Sequence, residues 1–268
     1  MKRCCIVAAV LLIFSIGIAS AAEFGPPEPL AKPGKFAVGI GHSVSREDLK
    51  PEDASGFGNP DFWQRTRFTQ KAWYLQINYG ISKNCEMFAR FGLADLYAKD
   101  VFNYNTSTDN FRDTNQYFST LGFKGVLYSN PSFKMGPFSS FSMGPIIQGS
   151  YYSQYKDTSS GLIGGALVTQ EYVVKDMWDV KLALSMQTKL SSITLFAGPY
   201  VYWRNVKSEL AISIPGAGTF VDSAKYQSEN NVGAFAGLRV PIMKRFTLDV
   251  EGRYTDSFGA GAALMYSF

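Results

Sequence analysis

The sequence is poor in cysteine, histidine and charge, and each shortage excludes something. Three of its 268 residues are cysteines and one, His42, is a histidine. Cys4 and Cys5 fall in an N-terminal stretch read below as a cleaved leader, so Cys85 stands alone and no intrachain disulfide can form in the mature chain. Cys85 is then either a free reactive thiol or a tolerated turn residue. Charged residues make up 18%, below the usual quarter. The formal charge of +4 falls to +2 once Lys2 and Arg3 leave with the leader, and no run of bases remains to hold nucleic acid. After the N-terminus no stretch offers the roughly 18 uninterrupted apolar residues of a spanning helix, and no segment carries a helical period. Nothing in the pattern points to a cofactor or a metal.

The first 22 residues have the parts of a secretory signal peptide: Lys2 and Arg3, an apolar core from Cys4 to Ile18, and the small-x-small pattern Ala19-Ser20-Ala21. Cleavage after Ala21 and cleavage after Ala22 both satisfy it. Residues 23–34 hold Pro26, Pro27, Pro29 and Pro33, a composition expected of an extended periplasmic lead-in rather than a domain.

From residue 35 to residue 268 the dominant period is two. Ten segments alternate, with apolar residues on one face over 36–44, 73–81, 87–97, 117–127, 141–151, 178–186, 193–203, 232–240, 246–254 and 258–268. The opposite face is small or polar, as in Gly39, Gly41, Gln76, Asn78, Gly92, Gly259 and Gly261. Short connections (82–85, 129–137, 191–192, 241–245) alternate with long ones (47–68, 98–115, 156–173, 206–228); the ninth, at Asp256-Ser257, is short and breaks the rule. The long ones are rich in Ser, Thr, Asn, Asp and Gly and are expected as loops. Met143-Gly144-Pro145 and Ala197-Gly198-Pro199 are expected as local kinks, because proline removes a ladder donor.

Three features put the apolar face outside. About fifty bulky apolar side chains would overfill a narrow barrel. Aromatics on that face form two rows: Trp73, Tyr97, Tyr117, Tyr151, Trp178, Trp203 and Tyr254 at the long-loop end, and Phe36, Tyr79, Phe246 and Phe268 at the short-turn end. Two such rows flanking an aliphatic band match two membrane interfaces. Between them the apolar face has no charge; Lys71 and Asp95 sit at the loop-end rim. A charge at the bilayer midplane would cost about 2–4 kcal/mol. Backbone amides in hydrocarbon must pair within the protein, so the sheet closes. The expected fold is an all-β, antiparallel, up-and-down transmembrane β-barrel over residues 35–268, of ten strands with eight as the alternative, both termini on the short-turn side.

The leader, this strand grammar and the ending Leu264-x-Tyr266-x-Phe268 together resemble the small outer-membrane barrels of Gram-negative bacteria, the OmpA, OmpX and opacity-protein type, whose typical members have eight strands. The resemblance implies an outer-membrane location with periplasmic termini, and contact with membrane lipid. It also implies that Leu264, Tyr266 and Phe268 are an assembly signal read by the barrel-insertion machinery.

His42, with Ser43 and Glu47 close in sequence, raises a hydrolase reading. Adjacent strand residues point to opposite faces, so His42 and Ser43 cannot cooperate directly, and an interfacial histidine is the simpler account. The inward face carries Lys35, Arg90, Lys124, Lys181, Arg204, Arg239 and Arg253 against Glu86, Asp179, Asp249 and Glu251. Three functions stay open: a structural or surface-interaction barrel whose lumen is filled by this salt-bridged network, a narrow porin-like channel in which the surplus of bases favours small anions, and, last, a membrane-embedded hydrolase. The four long loops could meet an extracellular ligand or surface; the first carries Phe57, Phe62, Trp63 and Phe68, which could make such a contact or equally fold down over the barrel mouth.

Overall fold

A computed structural model describes residues 23–55, 66–104 and 107–268. The leader and the aromatics Phe57, Phe62 and Trp63 lie outside the described residues. Among the described residues there are thirteen strands, β1 (Phe36–Ser55), β2 (Thr66–Gly80), β3 (Cys85–Tyr104), β4 (Ser107–Gly125), β5 (Tyr128–Met135), β6 (Phe138–Tyr152), β7 (Tyr155–Ile163), β8 (Ala166–Leu190), β9 (Ile193–Ile214), β10 (Gly218–Ser228), β11 (Val232–Pro241), β12 (Phe246–Tyr254) and β13 (Phe258–Ser267). No described residue is helical.

Ten of them, β1, β2, β3, β4, β6, β8, β9, β11, β12 and β13, form a closed antiparallel ring. They coincide with the ten alternating segments of the sequence. The seam joins the first strand to the last: Ala37 to Val44 on β1 pair with Ser267 to Ala260 on β13. Side chains alternate across the wall, as along β2, where buried and exposed positions take turns from Phe68 to Gly80. Both aromatic rows face outward. Trp73 stands opposite His42 on β1 and Leu93 on β3, with Tyr117 beyond, while Tyr151 pairs with Trp178. At the other end Phe36 lies beside Tyr79 and Phe246 beside Tyr266, with ring centroids 5.0 Å apart in each pair.

The glycines of the two Gly-Pro pairs are where neighbouring backbones close in. A Cβ on Gly144 would collide with the Gly125 carbonyl, and one on Gly198 with the Leu184 carbonyl. The Gly-Pro positions expected as kinks are sites of tight strand approach, and the β6–β8 register runs through Pro145 without a shift.

The long connections are not irregular loops where they are described. They continue the strands beyond the aromatic row and build a collar on the ring. β1, β2, β3, β4, β8 and β9 run on past the girdle; β7 pairs with β8, and β10 pairs with both β9 and β1. β10 bridges β9 and β1 where the short β12–β13 hairpin stops, so the irregular ninth connection leaves a gap that the seventh, residues 206–228, fills. Between β4 and β7 the join is made by side chains: Asp157 Oδ2 accepts from the Arg112 amide at 2.7 Å, and Asp113 Oδ2 from the Lys156 amide at 2.6 Å.

The sequence pattern hides the collar because its chemistry is inverted. On β2 below the girdle, Leu75 and Ile77 face out and Gln76 and Asn78 face in; above it, Arg67, Thr69 and Lys71 face out while Phe68 is buried. Leu49, Leu96, Phe102, Phe111, Tyr155, Tyr172, Leu210 and Tyr226 join Phe68 in one apolar core inside the collar. Of the two roles open to Phe68, contact with a partner or folding in over the barrel mouth, it takes the inward one as a core residue. A polar outer face and an apolar interior are what water outside demands. Register breaks fall near the change of regime, between Ala94 and Leu96 opposite the stretch containing Asn115 (φ 61°), and between Lys175 and Trp178 around Asp176 (φ 52°). Such bulges raise local twist, which suits a wall passing from ten strands to fewer.

Candidate functional site

The proline-rich stretch expected as a periplasmic lead-in is instead folded into the ring. It enters at the short-turn end, where the Gly34 amide donates to the Gly80 carbonyl at 2.7 Å and the Gly80 amide to the Lys35 carbonyl at 3.0 Å. Residues 33 back to 23 then run up the interior. Composition showed a segment without a regular element; it could not show that buried acceptors wait for its free amides. The Leu30 and Ala31 amides both donate to Glu86 Oε2 at 2.7 Å. Glu251 accepts from the amides of Glu23, Phe24 and Gly25, the last at 2.8 Å. Ser185 donates to the Gly25 carbonyl at 3.0 Å. Phe24 inserts between Tyr200 and Phe235, with ring centroids at 4.9 and 4.7 Å.

The inward charges sort into linked groups. Near the short-turn end Glu86 pairs with Lys124 at 3.2 Å and accepts from Asn78 at 2.5 Å. Arg239 holds Asp249 in a two-pronged bond of 2.7 and 2.6 Å. Arg90 donates to Gln76 at 2.7 Å and to the Glu23 carbonyl at 2.7 Å, its guanidinium 4.8 Å from the Phe88 ring centre. Higher up, Asp179 lies between Lys181 at 3.3 Å and Arg204 at 2.6 Å, and accepts from the Tyr152 hydroxyl at 3.1 Å. Arg204 also reaches Glu47 at 2.8 Å. The Glu23 carboxylate pairs with both Lys181 and Arg253.

Ten of the eleven expected lumen charges are thus inside and partnered. Lys35 is the exception: it is exposed at the short-turn rim, ahead of β1. Two acids were missed. Glu23 sits in the segment expected outside the ring, and Glu47 in a connection expected as loop, although its parity on β1 matches Gly39 and Gly41. With Lys35 removed and these two added, six bases (Arg90, Lys124, Lys181, Arg204, Arg239, Arg253) face six acids (Glu23, Glu47, Glu86, Asp179, Asp249, Glu251). The surplus of bases that favoured an anion pathway is gone among the described residues.

Little space remains. Two cavities inside the ring, one between Glu23, Tyr74, Phe118 and Arg204 and one beside Glu251, measure about 30 and 10 Å³. That is room for roughly one water each. Directly above, Phe118 stacks on Tyr152 at 5.6 Å, beneath the collar core.

His42 faces outward, its ring 4.4 Å from that of Trp73 in the girdle, while Ser43 is on the inner face lining a lumen cavity. Cys85 is a half-buried free thiol at the first residue of β3. Leu264 and Phe268 are exposed on the outer face and Met265 is buried on the inner one.

No family model matches the chain, and no curated protein matches it. Among solved structures it is similar to the outer membrane protease OmpT from Escherichia coli, with 11% identity, 88% of this chain and 97% of that one covered, and a TM-score of 0.46. The translocator domain of the autotransporter NalP from Neisseria meningitidis follows with 10% identity, 100% and 96% coverage, and a TM-score of 0.45. OprG from Pseudomonas aeruginosa has 10% identity, 89% and 98% coverage, and a TM-score of 0.30. OmpT and OprG are outer-membrane proteins. The girdled, closed ring of ten strands is the architecture of a small outer-membrane barrel.

Proposed function

We propose that the protein is a non-enzymatic, non-conducting barrel of the bacterial outer membrane, with a structural or surface-interaction role. The observation that carries this is the segment 23–33 inside the ring. It occupies the lumen with Phe24 and the buried Pro26 and Pro27, adds Glu23 as a partner for Lys181 and Arg253, and the two cavities described beside it are water-sized. The chain then enters the ring from the periplasmic side, the side on which Phe268 also lies, and the collar projects outward. The collar's described hairpin ends offer exposed apolar side chains, Leu162 and Leu167 at the β7–β8 end and Phe220 and Val221 on β10, to an extracellular ligand, and Leu264, Tyr266 and Phe268 present an apolar edge to the assembly machinery.

The test is conductance in planar bilayers. The intact mature protein is expected to give no stable openings, and a variant lacking residues 23–33 to give discrete ones through a lumen lined by Arg90, Lys181 and Arg253. Stable openings of the intact protein would overturn the filled-lumen reading in favour of the narrow channel.

A further inference from the structure

Outside the ring, just above the girdle, the outward face of β1 to β4 forms a basic groove. Arg46, Arg67, Lys71, Lys99 and Arg112 surround a volume of about 610 Å³, with Asp95 in its wall. The register brings them together: Arg46 stands opposite Thr69, Lys71 opposite Asp95, and Tyr97 opposite Arg112. Four carboxylates temper the charge. Asp48 grips Arg67 with bonds of 2.7 and 2.9 Å, and Asp256 also acts on Arg67. Asp95 accepts from the Asn115 amide at 2.9 Å and Asp157 from the Arg112 amide at 2.7 Å. The five bases still outnumber these four.

The height of this groove identifies what it meets. Lys71 is two residues beyond Trp73 on the same face of β2, a step of roughly 7 Å along a strand. Trp73 marks the polar boundary of the bilayer. The groove therefore opens sideways at headgroup level, facing neither the lumen nor the top of the collar. It is far larger than one phosphate ion, and within the range of sites that enclose a sizeable ligand. Below it Trp73, Leu75 and Leu93 offer a continuous apolar surface, all well exposed on the outside.

We propose that this groove is a binding site for the phosphorylated sugar headgroup of a glycolipid in the surrounding leaflet. The bases take the phosphates by charge-assisted hydrogen bonds, and the acyl chains lie along the wall under Trp73. The proposal rests on the outward placement of the collar inferred above and is independent of whether the lumen conducts.

The experiment uses detergent-refolded mature protein and a bisphosphorylated acylated disaccharide, with binding read by native mass spectrometry and titration. Each base contributes about fivefold near an anionic lipid surface, so the triple variant Lys71→Gln, Lys99→Gln, Arg112→Gln is expected to bind about a hundredfold more weakly. Lys244→Gln, at the short-turn rim, is expected to bind as wild type. On the wild-type protein, which removes any question of variant folding, the dephosphorylated disaccharide is expected to bind as weakly as the triple variant does. Equal wild-type affinity for both lipids would overturn the proposal. So would displacement of the lipid by equimolar inorganic phosphate, which would make the groove a small-anion site. Because the assay is run in detergent, it succeeds or fails independently of the conductance test.

Discussion

At the residue scale, the lumen is governed by the cost of leaving a buried charge alone. Glu86 is fully buried and holds four donors: Lys124, the Asn78 amide and two backbone amides of the lumen segment. Breaking such a pair from one side costs about 3–5 kcal/mol, because the remaining charge has no solvent to turn to. Glu86→Leu is therefore expected to lower barrel stability by that amount in urea titrations in micelles, and Lys124→Met by a similar amount. The double variant is expected to lose less than either single one; a simple sum of the two losses would mean the pair is not coupled. In the collar the chemistry is milder and depends on pH. The hydrogen bond and charge of Lys175 (2.5 Å), helped by Lys207 (3.4 Å), hold the Glu209 carboxyl below its ordinary value against a slight opposing effect of burial. A carboxylate whose folded value is depressed contributes stability above its unfolded value and loses it as pH falls through the folded one. The collar's resistance to proteolysis is thus expected to be flat from neutral pH to about pH 5, near the unfolded range of a glutamate, and to drop below it. Glu209→Gln should remove the drop. The effect is small, as exposed pairs are.

At the scale of elements, the ring strands were legible because one rule, apolar outward, holds along each of them between the two girdles. The collar strands were not, because the rule reverses at the girdle while the period stays two. Arg67 read as loop polarity and Lys71 as a rim charge, although with Thr69 they are the outer half of an alternation whose inner half is Phe68 and Gln70. Phase, rather than period, was the missing signal. It was available: Leu49, Leu96 and Leu210 keep inward parity with Gly39, Arg90 and Arg204. The lumen segment was illegible for another reason, since a chain without periodicity carries no mark of the acceptors it will satisfy. The inversion makes a prediction about independence. Leu210 is buried in the collar core, six residues beyond Arg204. Leu210→Asp places an unpaired carboxylate in that core and is expected to make the collar protease-sensitive. The ring, whose lipid-facing band is unchanged, should keep its heat-resistant electrophoretic mobility. Loss of both together would mean that collar and ring fold as one unit.

At the scale of the whole molecule, the decisive event is closure, which removes the last two sheet edges. The seam between β1 and β13 has two separable requirements. One is internal clearance: a Cβ on Gly39 would collide with Met265 Sδ and the Leu264 carbonyl, so Gly39→Val obstructs the seam itself and is expected to reduce both insertion and the stability of whatever closes. The other is the outer edge at the chain end. Phe268 is well exposed, donates its amide to the Phe36 carbonyl at 3.2 Å, and packs edge-on against Tyr266 at 4.9 Å; Arg245 reaches the Tyr266 hydroxyl at 2.8 Å without it. Deleting Phe268 removes one terminal ladder bond, worth about 1 kcal/mol net, from a seam that retains all eight register pairs from Ala37 to Val44. A purely structural role therefore predicts a small shift in the urea midpoint and a proportionately small loss at the cell surface. A recognition role predicts the same small shift with a severe loss of surface protein. The exposed aromatic ring, standing outside the seam it would help to start, favours the second. Pulse-labelled surface levels and the refolded midpoint, measured on Phe268-deleted and Gly39→Val protein side by side, separate the two. Normal surface levels of the deletion would reduce Phe268 to a rim contact, whereas Gly39→Val should be defective in both measurements.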